Sequence, residues 1–599
     1  MTTSARPLLI YDGDCGFCVY WVRYWQRLTG EAVRYAAYQE VGQDFPQIST
    51  EEFRRAIYFI AADGKTYKGA AAAYQVLARA GRGFWWWLYR RVPLYAWFSE
   101  RCYNFVARRR VAAAWISRWL WGRERVPETH VRVTWLLLRG LGLIYLFAFA
   151  SYAVQVEGLI GGRGILPLQT YLSLLHEHLG ARAYYVAPMV FWFNAGDLML
   201  HAVCWTGALA GVLLTAGIRQ RAMLIILYVL YLSLTHAGQV FMTFQWDMLL
   251  LEAGFLGIFL PGGSPVIVWL FRWLTFRFMF LAGAAKITSG DATWRNLTAL
   301  NYHFETQPLP TPLAWYVHQS PPWLLQAGVV MTLLVELVLV FLIFLPRRPR
   351  MLAAWCILFF ETFILLTGNY NFFNLLVMLL CVSLFDDQAF NGRAPVIARA
   401  RSKATAWMHG VLAVLLVSLG LIVIESQLTR HRPPELIAEF RDFFVPYFIV
   451  NPYGLFANMT TRRPEIVIEG SNNLIRWAEY EFKYKPGVLN RRPLWNFPHQ
   501  PRLDWQMWFA ALGDPRAEWW FGHLLQRLLE NSPPVTALFE RNPFPDSPPR
   551  YIRALLYDYH FTDAEERRKT GNWWKRELLG TYYPVVSLKK SAAESDEMK

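Results

Sequence analysis

The chain has 599 residues and a composition that excludes a single water-soluble domain. Hydrophobic residues make up 55% of the chain and charged residues only 17%, which is too apolar for an ordinary soluble protein of this length. The net charge is +16, but arginines concentrate beside apolar segments, which argues against a nucleic-acid partner. We therefore predict a multidomain, polytopic membrane protein that contacts membrane lipids.

The first predicted element is a strand that leads into a Cys-x-x-Cys motif. Residues 8–10 are apolar and a helical pattern follows at 19–28, so Cys15 falls at a strand-to-helix turn. The positive end of a helix dipole favours a thiolate, which is the reactive form of cysteine. We predict that Cys15 attacks a disulfide and that Cys18 resolves the mixed disulfide.

Two other interpretations of the cysteine pair stay open. A zinc site needs about four ligands, and neither a second Cys-x-x-Cys nor a His-x-His pair follows this motif, so we predict no metal site. The pair could also be a remnant without redox activity. Whether the chain is an enzyme, as a thiol-disulfide oxidoreductase, is therefore left open.

The motif Asp12-x-x-Cys15-x-x-Cys18 resembles that of the DCC family of thiol-disulfide oxidoreductases. The resemblance implies a thioredoxin-like α/β domain over residues 1–122, in which Asp12 and Asp14 support the motif. A cytoplasmic thiol reductant is then an implied partner. The chain departs from thioredoxins because no proline precedes the predicted strand at 56–60.

A region rich in arginine and tryptophan precedes the first long apolar segment. Eight arginines and two glutamates lie from Arg101 to Arg132, an excess of positive charge that is typical of a cytoplasmic flank. Arginine with tryptophan at helical spacing favours helices at the level of lipid headgroups. No cleavable signal peptide is recognised, so we expect the first membrane helix to direct insertion.

About nine apolar segments are predicted to cross the membrane within a helical bundle over 123–427. Their positions are 133–154, 188–215, 222–241, 244–260, 266–287, 323–345, 351–367, 372–385 and 407–427. The loops at 217–221, 346–350 and 386–405 carry clustered basic residues, which places these loops and the N-terminus in the cytoplasm. An odd number of spans then places the C-terminal domain outside the cytoplasm.

The composition changes after the last apolar segment, and we predict a soluble α+β domain with a β-sheet core over 428–588. Strand patterns and then amphipathic helical patterns follow at 465–469, 477–484, 505–512, 519–529 and 549–557. The domain contains no cysteine, which excludes a disulfide framework there. Residues 589–599 form a charged tail that we predict to be disordered.

Several ionisable side chains fall inside or beside predicted spans, where they are costly unless they are paired or face a cavity. The candidates for an intramembrane polar site are Asp197, His201, Asp247, Glu252, Arg277 and His303. Asp197 and His201 share one helix face, and we expect Asp247 to pair with Arg277. Helix packing, catalysis and a transport pathway all stay open as roles for this set.

Longer strings in the second half of the chain carry another resemblance. They are FQWDMLLLEAGF at 244–255, WRNLTALNYHFETQP at 294–308, NYNFFN at 369–374, RRPEI at 462–466, YKPG at 484–487 and PHQPRLDWQMWF at 498–509. Over residues 133–584 the chain resembles the lipase maturation factor family. The resemblance implies a membrane-resident folding factor whose C-terminal domain contacts a secreted lipase or another exported client.

The DCC-like domain in front of this region is an arrangement associated with bacteria. We therefore expect an integral protein of the bacterial inner membrane, with a cytoplasmic N-terminus and a periplasmic C-terminal domain. Direct exchange between Cys15 and an exported client is then excluded, because the two lie on opposite sides of the membrane. The dithiol would instead pass electrons to the membrane part, report the cytoplasmic thiol state, or act independently of the other domains.

The string FLAGAAK at 280–286, followed by Trp294, resembles more distantly the transmembrane domain of vitamin K-dependent carboxylases. The resemblance implies that Lys286 is a base acting on a hydroquinone. The alternative is a lysine that extends to the membrane interface. Apart from a quinone or other lipid under this hypothesis, the sequence requires no cofactor.

Two main functional hypotheses follow from these features. The first is a folding factor that holds its client through an aromatic surface formed by Trp505, Trp508, Trp519 and Trp520. The same tryptophans could instead form the core of the C-terminal domain. The second hypothesis is a membrane enzyme in which Lys286 is the base, assisted by His303, Asp197 or His201.

Overall fold

The computed structural model describes residues 6–390 and 402–588, and the chain divides into two compact units. One unit contains the residues up to 129 together with 344–352, and the other contains 130–343 and the residues from 353 onward. The predicted disordered tail lies outside the described residues. So do Arg393, Arg399 and Arg401 of the predicted cytoplasmic loop.

The first unit is an α/β domain around a mixed four-stranded sheet. Its elements are β1 (Leu8–Tyr11), α1 (Gly16–Thr29), β2 (Arg34–Ala37), α2 (Tyr38–Val41), α3 (Thr50–Arg55), β3 (Tyr58–Ile60), β4 (Thr66–Lys68), α4 (Gly69–Arg79), α5 (Phe84–Arg91), α6 (Pro93–Arg108) and α7 (Arg110–Trp121). The strand order is β2-β1-β3-β4, in which β1 is parallel to β2 and antiparallel to β3.

Alternate side chains of the central strands supply two separate cores, as the pleat of a strand requires. Leu9 and Phe59 pack on one face of the sheet with Val22 of α1 and Val76 of α4. The neighbouring residues of both strands face the other way, and Ile10 there packs with residues of α2 and α3. The sheet is therefore covered on both faces, and its first strand ends at the cysteine motif.

The helices α5, α6 and α7 carry the tryptophan-rich segment. Glu100 of α6 accepts the Ala70 and Ala71 N–H groups at 3.3 and 3.1 Å, so a carboxylate from α6 caps the start of α4. The large exposed apolar residues of α5, α6 and α7 include Phe84, Trp87, Leu94, Trp97, Phe98, Phe105, Trp115 and Trp119. An exposed apolar surface of this kind fits the predicted position at the headgroup level.

The second unit begins with a helical bundle. Its helices are α8 (Val131–Ala153), α9 (Val156–Ile160), α10 (Leu168–Leu179), α11 (Arg182–Val186), α12 (Asp197–Ala216), α13 (Gln220–Ala237), α14 (Gln245–Ile258), α15 (Pro265–Thr288), α16 (Ala292–Arg295), α17 (Leu300–Thr306), α18 (Pro312–His318), α19 (Pro322–Leu337), α20 (Arg347–Thr367), α21 (Phe372–Cys381) and α22 (Lys403–Thr429). The first turns of α20, up to residue 352, belong to the first unit. Within the described residues, seven helical segments are long and apolar enough to cross a membrane. Two predicted spans are shorter, namely α14 with 14 residues and the segment Phe372–Leu384.

Small residues and a carboxylate fix the position of α8 in the bundle. A Cβ atom on Gly142 would lie 2.7 Å from the Thr215 nitrogen and 2.8 Å from the Gly211 carbonyl oxygen, so only glycine allows α8 and α12 to approach this closely. The Asp387 carboxylate accepts the Val131 and Arg132 N–H groups at 2.7 and 2.8 Å. Asp387 therefore satisfies the free N–H groups at the start of α8.

The C-terminal region contains a four-stranded antiparallel sheet and packs in the same compact unit as the bundle. Its elements are α23 (Glu435–Phe444), β5 (Pro464–Ser471), β6 (Ala478–Glu479), β7 (Glu481–Phe482), α24 (Arg502–Leu512), α25 (Trp519–Leu529), α26 (Pro533–Thr536), β8 (Phe539–Arg541), β9 (Tyr551–Phe561), α27 (Ala564–Thr570) and β10 (Trp574–Val586). The strand order is β10-β9-β5-β6, and the predicted β-sheet core is present.

One predicted helix of this region is wrong. Residues 549–557 were expected to be helical, but Tyr551–Phe561 forms β9, which pairs with both β5 and β10. Ile552 and Ala554 are fully buried while Arg553 between them is not. This period of two is the signature of a strand, and the polar residues mixed into it made the segment look amphipathic.

Candidate functional site

The cysteine motif forms the N-terminus of α1, as the sequence predicts. Cys15 is the N-cap residue, and its Sγ accepts the Cys18 N–H at 3.3 Å. The hydrogen bond from the Cys18 thiol lowers the pKa of Cys15 to about 6, and the Cys18 N–H and the Arg110 guanidinium act in the same direction. The hydrogen bond to Cys15 and then burial raise the pKa of Cys18. This asymmetry fits an attacking Cys15 and a resolving Cys18.

Two residues that the sequence analysis missed hold the motif in place. Arg110, at the start of α7, donates to the Arg55 carbonyl at 2.8 Å and lies 3.4 Å from an Asp12 carboxylate oxygen. Gln39 donates to both Asp12 and Asp14 at 3.1 Å. The two aspartates therefore contact the residues that surround the thiols, and their supporting role stays a prediction. Arg110 was hidden in an arginine cluster that was attributed to the membrane flank.

An apolar cavity of about 280 Å³ lies beside the buried Cys18. Its lining includes Phe17, Trp21, Ile57, Tyr103, Val106 and Arg110. The walls thus come from α1, α4 and α6, from the residue before β3 and from the first residue of α7, and Arg110 is the cation in this lining. An apolar group beside the disulfide of a substrate would fit this cavity when Cys15 attacks.

We expect the alkylation of Cys15 by iodoacetamide to follow a titration with a midpoint near pH 6. Below the midpoint Cys15 is a thiol and reacts slowly, and above it the thiolate reacts fast. Arg110→Gln should move the midpoint upward, because it removes a cation that favours the thiolate. The rates are measured on the full chain in detergent by mass spectrometry of the Cys15 peptide. A midpoint at about 8.5, the value of a free cysteine, would contradict this geometry.

The predicted intramembrane residues do not form one site. Asp247 is fully buried on α14, and its carboxylate accepts hydrogen bonds from Nη1 and Nη2 of Arg502 at 2.5 and 2.8 Å. It also accepts a hydrogen bond from the Tyr231 hydroxyl at 2.5 Å. The expected Asp247–Arg277 pair is wrong, because Arg277 pairs with Glu252. Five residues on a helix rotate the side chain by about 140°, so Asp247 and Glu252 point to different neighbours. The partner of Asp247 comes from α24 of the C-terminal region.

Glu252 lies at the centre of a second buried network. Besides Arg277, its carboxylate accepts the Tyr453 hydroxyl at 2.8 Å and the Asn451 N–H and side-chain amide at 3.2 Å. Arg277 also donates to the Asn451 carbonyl at 2.7 Å. The segment after α22 therefore enters the bundle and supplies the polar groups that two buried charges need.

The remaining candidates lie apart from these networks. The Asp197 carboxylate accepts the Gly162 N–H at 2.8 Å, and His201 lies 3.4 Å from Glu157. His303 packs against the Phe456 ring at 5.0 Å, and burial lowers its pKa to about 4. In the part of the chain that is described, no group of three or more His, Cys, Asp or Glu side chains is arranged to hold a metal ion.

Lys286 is buried at the end of α15 rather than extended to an interface. Its Nζ lies 2.9 Å from the Glu336 carboxylate, 3.3 Å from the Ala282 carbonyl oxygen and 5.3 Å from the centre of the Trp294 ring. The ammonium is thus surrounded by partners that compensate its burial.

Arg463 makes a third connection between the C-terminal region and the bundle. Its guanidinium is fully buried, donates to the Glu305 and Pro308 carbonyls at 2.6 and 2.8 Å, and pairs with Glu465 at 2.8 Å. No spacing in the sequence assigns a role to Arg463 or to Arg502, because their partners in the bundle lie more than 150 residues away in the chain.

The aromatic client surface predicted for the C-terminal domain is only partly available. Trp505 and Trp520 are 4% and 0% exposed, and they belong to the core. Trp508 is half-buried and donates to the Thr306 carbonyl at 2.8 Å, while Trp519 is 53% exposed. The prediction is therefore wrong for Trp505 and Trp520, whose indoles fill the contact with the bundle.

Comparison with known proteins finds a family match for each of three regions of the chain. Residues 132–392 match the lipase maturation factor transmembrane domain, 449–584 match the lipase maturation factor C-terminal domain, and 9–115 match a DCC1-like thiol-disulfide oxidoreductase. Lipase maturation factor 2 of Gallus gallus is 35% identical, over 76% of this chain and 81% of the relative. The chain belongs to the lipase maturation factor family. The predicted resemblances to the DCC family and to the lipase maturation factor family are confirmed.

Two further members of the family show the same extent of similarity. Lipase maturation factor 1 of Bos taurus is 35% identical over 76% of this chain and 88% of the relative. Lipase maturation factor 2 of Homo sapiens is 34% identical over 76% of this chain and 82% of the relative. No solved structure matches the chain. Within the lipase maturation factor region, the Asp247–Arg502 pair joins the two matched domains.

Proposed function

We propose that this protein is a membrane-resident maturation factor for lipases or other exported clients. The observation that carries the proposal is the match to both lipase maturation factor domains, whose relatives are named for lipase maturation. The buried connections support it, because they hold the C-terminal sheet on a fixed platform at one end of the bundle. A rigid platform that presents a folded surface suits a protein that binds a partly folded client.

We propose nine crossings for the bundle, namely the seven long apolar segments, α14 and the segment Phe372–Leu384. Contacts at both ends of α14 support a crossing by this short helix. At the start of α14, the Gln245 side chain accepts the Gly454 N–H at 3.2 Å. The residue before Gly454 is Tyr453, whose carbonyl accepts a hydrogen bond from Gln427 near the end of α22. Phe259, just after α14, contacts the ring of His409 near the start of α22. Thus α14 runs antiparallel to α22 over most of its length.

We place the N-terminal domain in the cytoplasm and the C-terminal region on the opposite side. The support is the basic residues of the loops at 217–221 and 346–350. The bacterial inner membrane is our proposal from the domain arrangement, while the relatives reported above are animal proteins. The sheet order and the helical cysteine motif support a thioredoxin-like assignment for the N-terminal domain.

The dithiol would then act on a cytoplasmic disulfide rather than on the exported client. The Cys15 thiolate attacks one sulfur, the substrate S–S bond breaks, and the second substrate sulfur leaves as a thiolate that takes up a proton. Cys18 loses its proton and attacks Cys15 in the mixed disulfide, which releases the second substrate thiol. The oxidised Cys15–Cys18 pair is returned to the dithiol by a cytoplasmic thiol reductant.

The geometry does not favour the alternative of a membrane enzyme with Lys286 as base. A base needs a free lone pair facing a substrate, whereas Nζ is engaged by Glu336 and the Ala282 carbonyl and lies over Trp294. Two of the proposed assistants have other partners, because Asp197 accepts the Gly162 N–H and His201 lies against the Glu157 carboxylate. A structural ion pair explains Lys286 without a quinone cofactor.

An exposed hairpin in the C-terminal sheet is our candidate for the client contact. The turn between β5 and β6 carries Leu474 and Ile475, which are 50% and 82% exposed. The Ser471 hydroxyl accepts the Leu474 N–H at 3.0 Å and donates to the Arg476 carbonyl at 2.7 Å. Two apolar side chains are thus presented on a turn that its own hydrogen bonds hold in place.

The proposal is tested by the specific activity of secreted lipase, with lipase mass measured in parallel, in cells that lack this protein. We expect activity per unit mass to fall severalfold and to return with the wild-type chain. Leu474→Asp/Ile475→Asp should fail to restore it, because a charged turn no longer binds an apolar client. Leu578→Asp is the matched control, since this residue is 54% exposed on β10 of the same sheet.

Two further variants identify the part of the chain that maturation needs. Cys15→Ser/Cys18→Ser tests whether the cytoplasmic dithiol contributes, and Lys286→Ala, with the fold checked by thermal unfolding, tests the membrane-enzyme alternative. A lipase activity that does not change when the protein is absent would contradict the proposed function. Full activity of the charged-turn variant would instead contradict only the assigned client contact.

A further inference from the structure

A cavity of about 580 Å³ lies between the last membrane helix and the segment that follows it. Its apolar walls come from Leu419 and Val423 of α22, from Phe444 of α23 and from Val445 and Val450 behind it. The volume falls in the range of small-molecule sites, about 300–1,000 Å³. The cavity is separate from the dithiol and from the turn assigned to the client.

Two buried polar atoms at this cavity have no hydrogen-bond partner among the described residues. They are the Ser426 hydroxyl oxygen and Oε1 of Gln427, and both residues line the cavity. The Gln427 amide nitrogen is already used, because it donates to the Tyr453 carbonyl at 2.6 Å. A buried polar group without a partner is destabilising, so this wall suits a ligand that donates hydrogen bonds.

A cation lines the same cavity. Arg441 of α23 is 31% exposed and pairs with its neighbour Asp442, which is 52% exposed, at 2.7 Å. An exposed pair of adjacent residues leaves the planar guanidinium open to a stronger anion, and phosphate accepts two parallel N–H groups. The cavity thus combines an apolar interior, an acceptor that requires a donor, and an anion-binding cation.

The surroundings indicate a bilayer lipid as the source of such a ligand. The helix α22 is one of the segments apolar enough to cross a membrane, and α23 follows it directly. Leu436, Phe440 and Phe443 of α23 are 79%, 44% and 55% exposed, while Arg441 and Glu439 supply charge. An amphipathic helix of this composition lies in the interface between headgroups and acyl chains.

We propose that this cavity binds an acyl chain of a membrane phospholipid whose phosphate pairs with Arg441. The headgroup would also carry a hydroxyl or ammonium donor for Oε1 of Gln427. A free fatty acid has the apolar chain and the anion, but its carboxylate offers no donor to that oxygen. The bound lipid would fill the space beside Tyr453 and support the segment that completes the Glu252 network.

The test uses the full chain in vesicles of phosphatidylethanolamine and phosphatidylglycerol that contain a trace of either phospholipid with a photoactivatable acyl chain. Cross-linked peptides are mapped by mass spectrometry. We expect labelling of the peptides that contain 419–427 and 441–454. Val423→Trp, which fills the cavity, should reduce this labelling at least about fivefold. Leu421→Trp is the matched control, because this residue is 53% exposed on the same helix and should label like the wild type.

A second variant keeps the proposal testable if Val423→Trp does not fold. Arg441→Gln changes a partly exposed side chain and should weaken phospholipid labelling about tenfold, the equivalent of one charge-assisted contact. Labelling that is equal in the wild type and both variants would overturn the site. Preferential labelling by a photoactivatable fatty acid, with no labelling by either phospholipid, would overturn the assignment of the ligand.

Discussion

Replacing Asp247 with alanine should destabilise the second unit by about 3–5 kcal/mol, the cost of leaving a buried charge unpaired. Arg502 is 1% exposed, and its guanidinium would lose both hydrogen bonds to the carboxylate. The Tyr231 hydroxyl would lose its acceptor at the same time. Thermal unfolding of the purified chain in detergent, with tryptophan fluorescence as the probe, measures the effect.

Two control variants separate the buried pair from the general effect of mutation. Asp247→Leu/Arg502→Met removes both charges and should recover most of the loss, since apolar replacements of a buried pair are often neutral. Glu565→Gln breaks an ion pair with Lys569 in which both side chains are 70% exposed. This change should alter stability by less than about 1 kcal/mol. A loss below about 1 kcal/mol in Asp247→Ala would refute the structural role of the pair.

Cys15→Ser is expected to reduce thiol-disulfide exchange by about three orders of magnitude or more, because a hydroxyl cannot replace the thiolate nucleophile. Cys18→Ser should instead accumulate a mixed disulfide on Cys15, since the resolving thiol is absent. The assay follows the reaction of the full chain with glutathione disulfide, and intact mass identifies the adduct. The two variants thus distinguish attack from resolution.

The control for this assay is Cys102→Ser. Cys102 is an exposed free cysteine on α6 that lines the cavity beside Cys18 but lies outside the hydrogen bonds of the motif. Serine has nearly the same size as cysteine, so the control should leave exchange close to the wild-type rate. An adduct that forms on Cys18 in the Cys15→Ser variant at the wild-type rate would reverse the assigned roles. Wild-type exchange in Cys15→Ser/Cys18→Ser would show that the reaction does not use the motif.

Local signals made the dithiol predictable, whereas its supporting residues depend on the tertiary fold. The position of Cys15 follows from an apolar strand and a helical pattern that adjoin it in the chain. Arg110 acts on the thiolate from a helix that begins 95 residues later than Cys15. No hydrophobic periodicity or motif spacing connects such distant segments, so the contribution of Arg110 to the lowered pKa of Cys15 could not be predicted from the motif.

The membrane part shows the same division between local and distant information. Apolar length predicted the seven long segments among the nine expected spans, because each helix must satisfy the hydrocarbon region by itself. The presence of buried ion pairs was also predictable, since lone charges are too costly there. Their partners were not, because Arg502 lies 255 residues after Asp247. The β9 strand was missed because its polar residues resemble the hydrophilic face of a helix.

The distance between Asp247 and Arg502 also sets an order of events during biosynthesis. At about 5–20 residues per second, α14 is made on the order of tens of seconds before its arginine partner emerges. During that interval Asp247 lacks the arginine that neutralises it in the finished protein. Final assembly of the membrane helices therefore waits for synthesis of the last part of the polypeptide, and a chain truncated before residue 502 would leave Asp247 without its arginine partner.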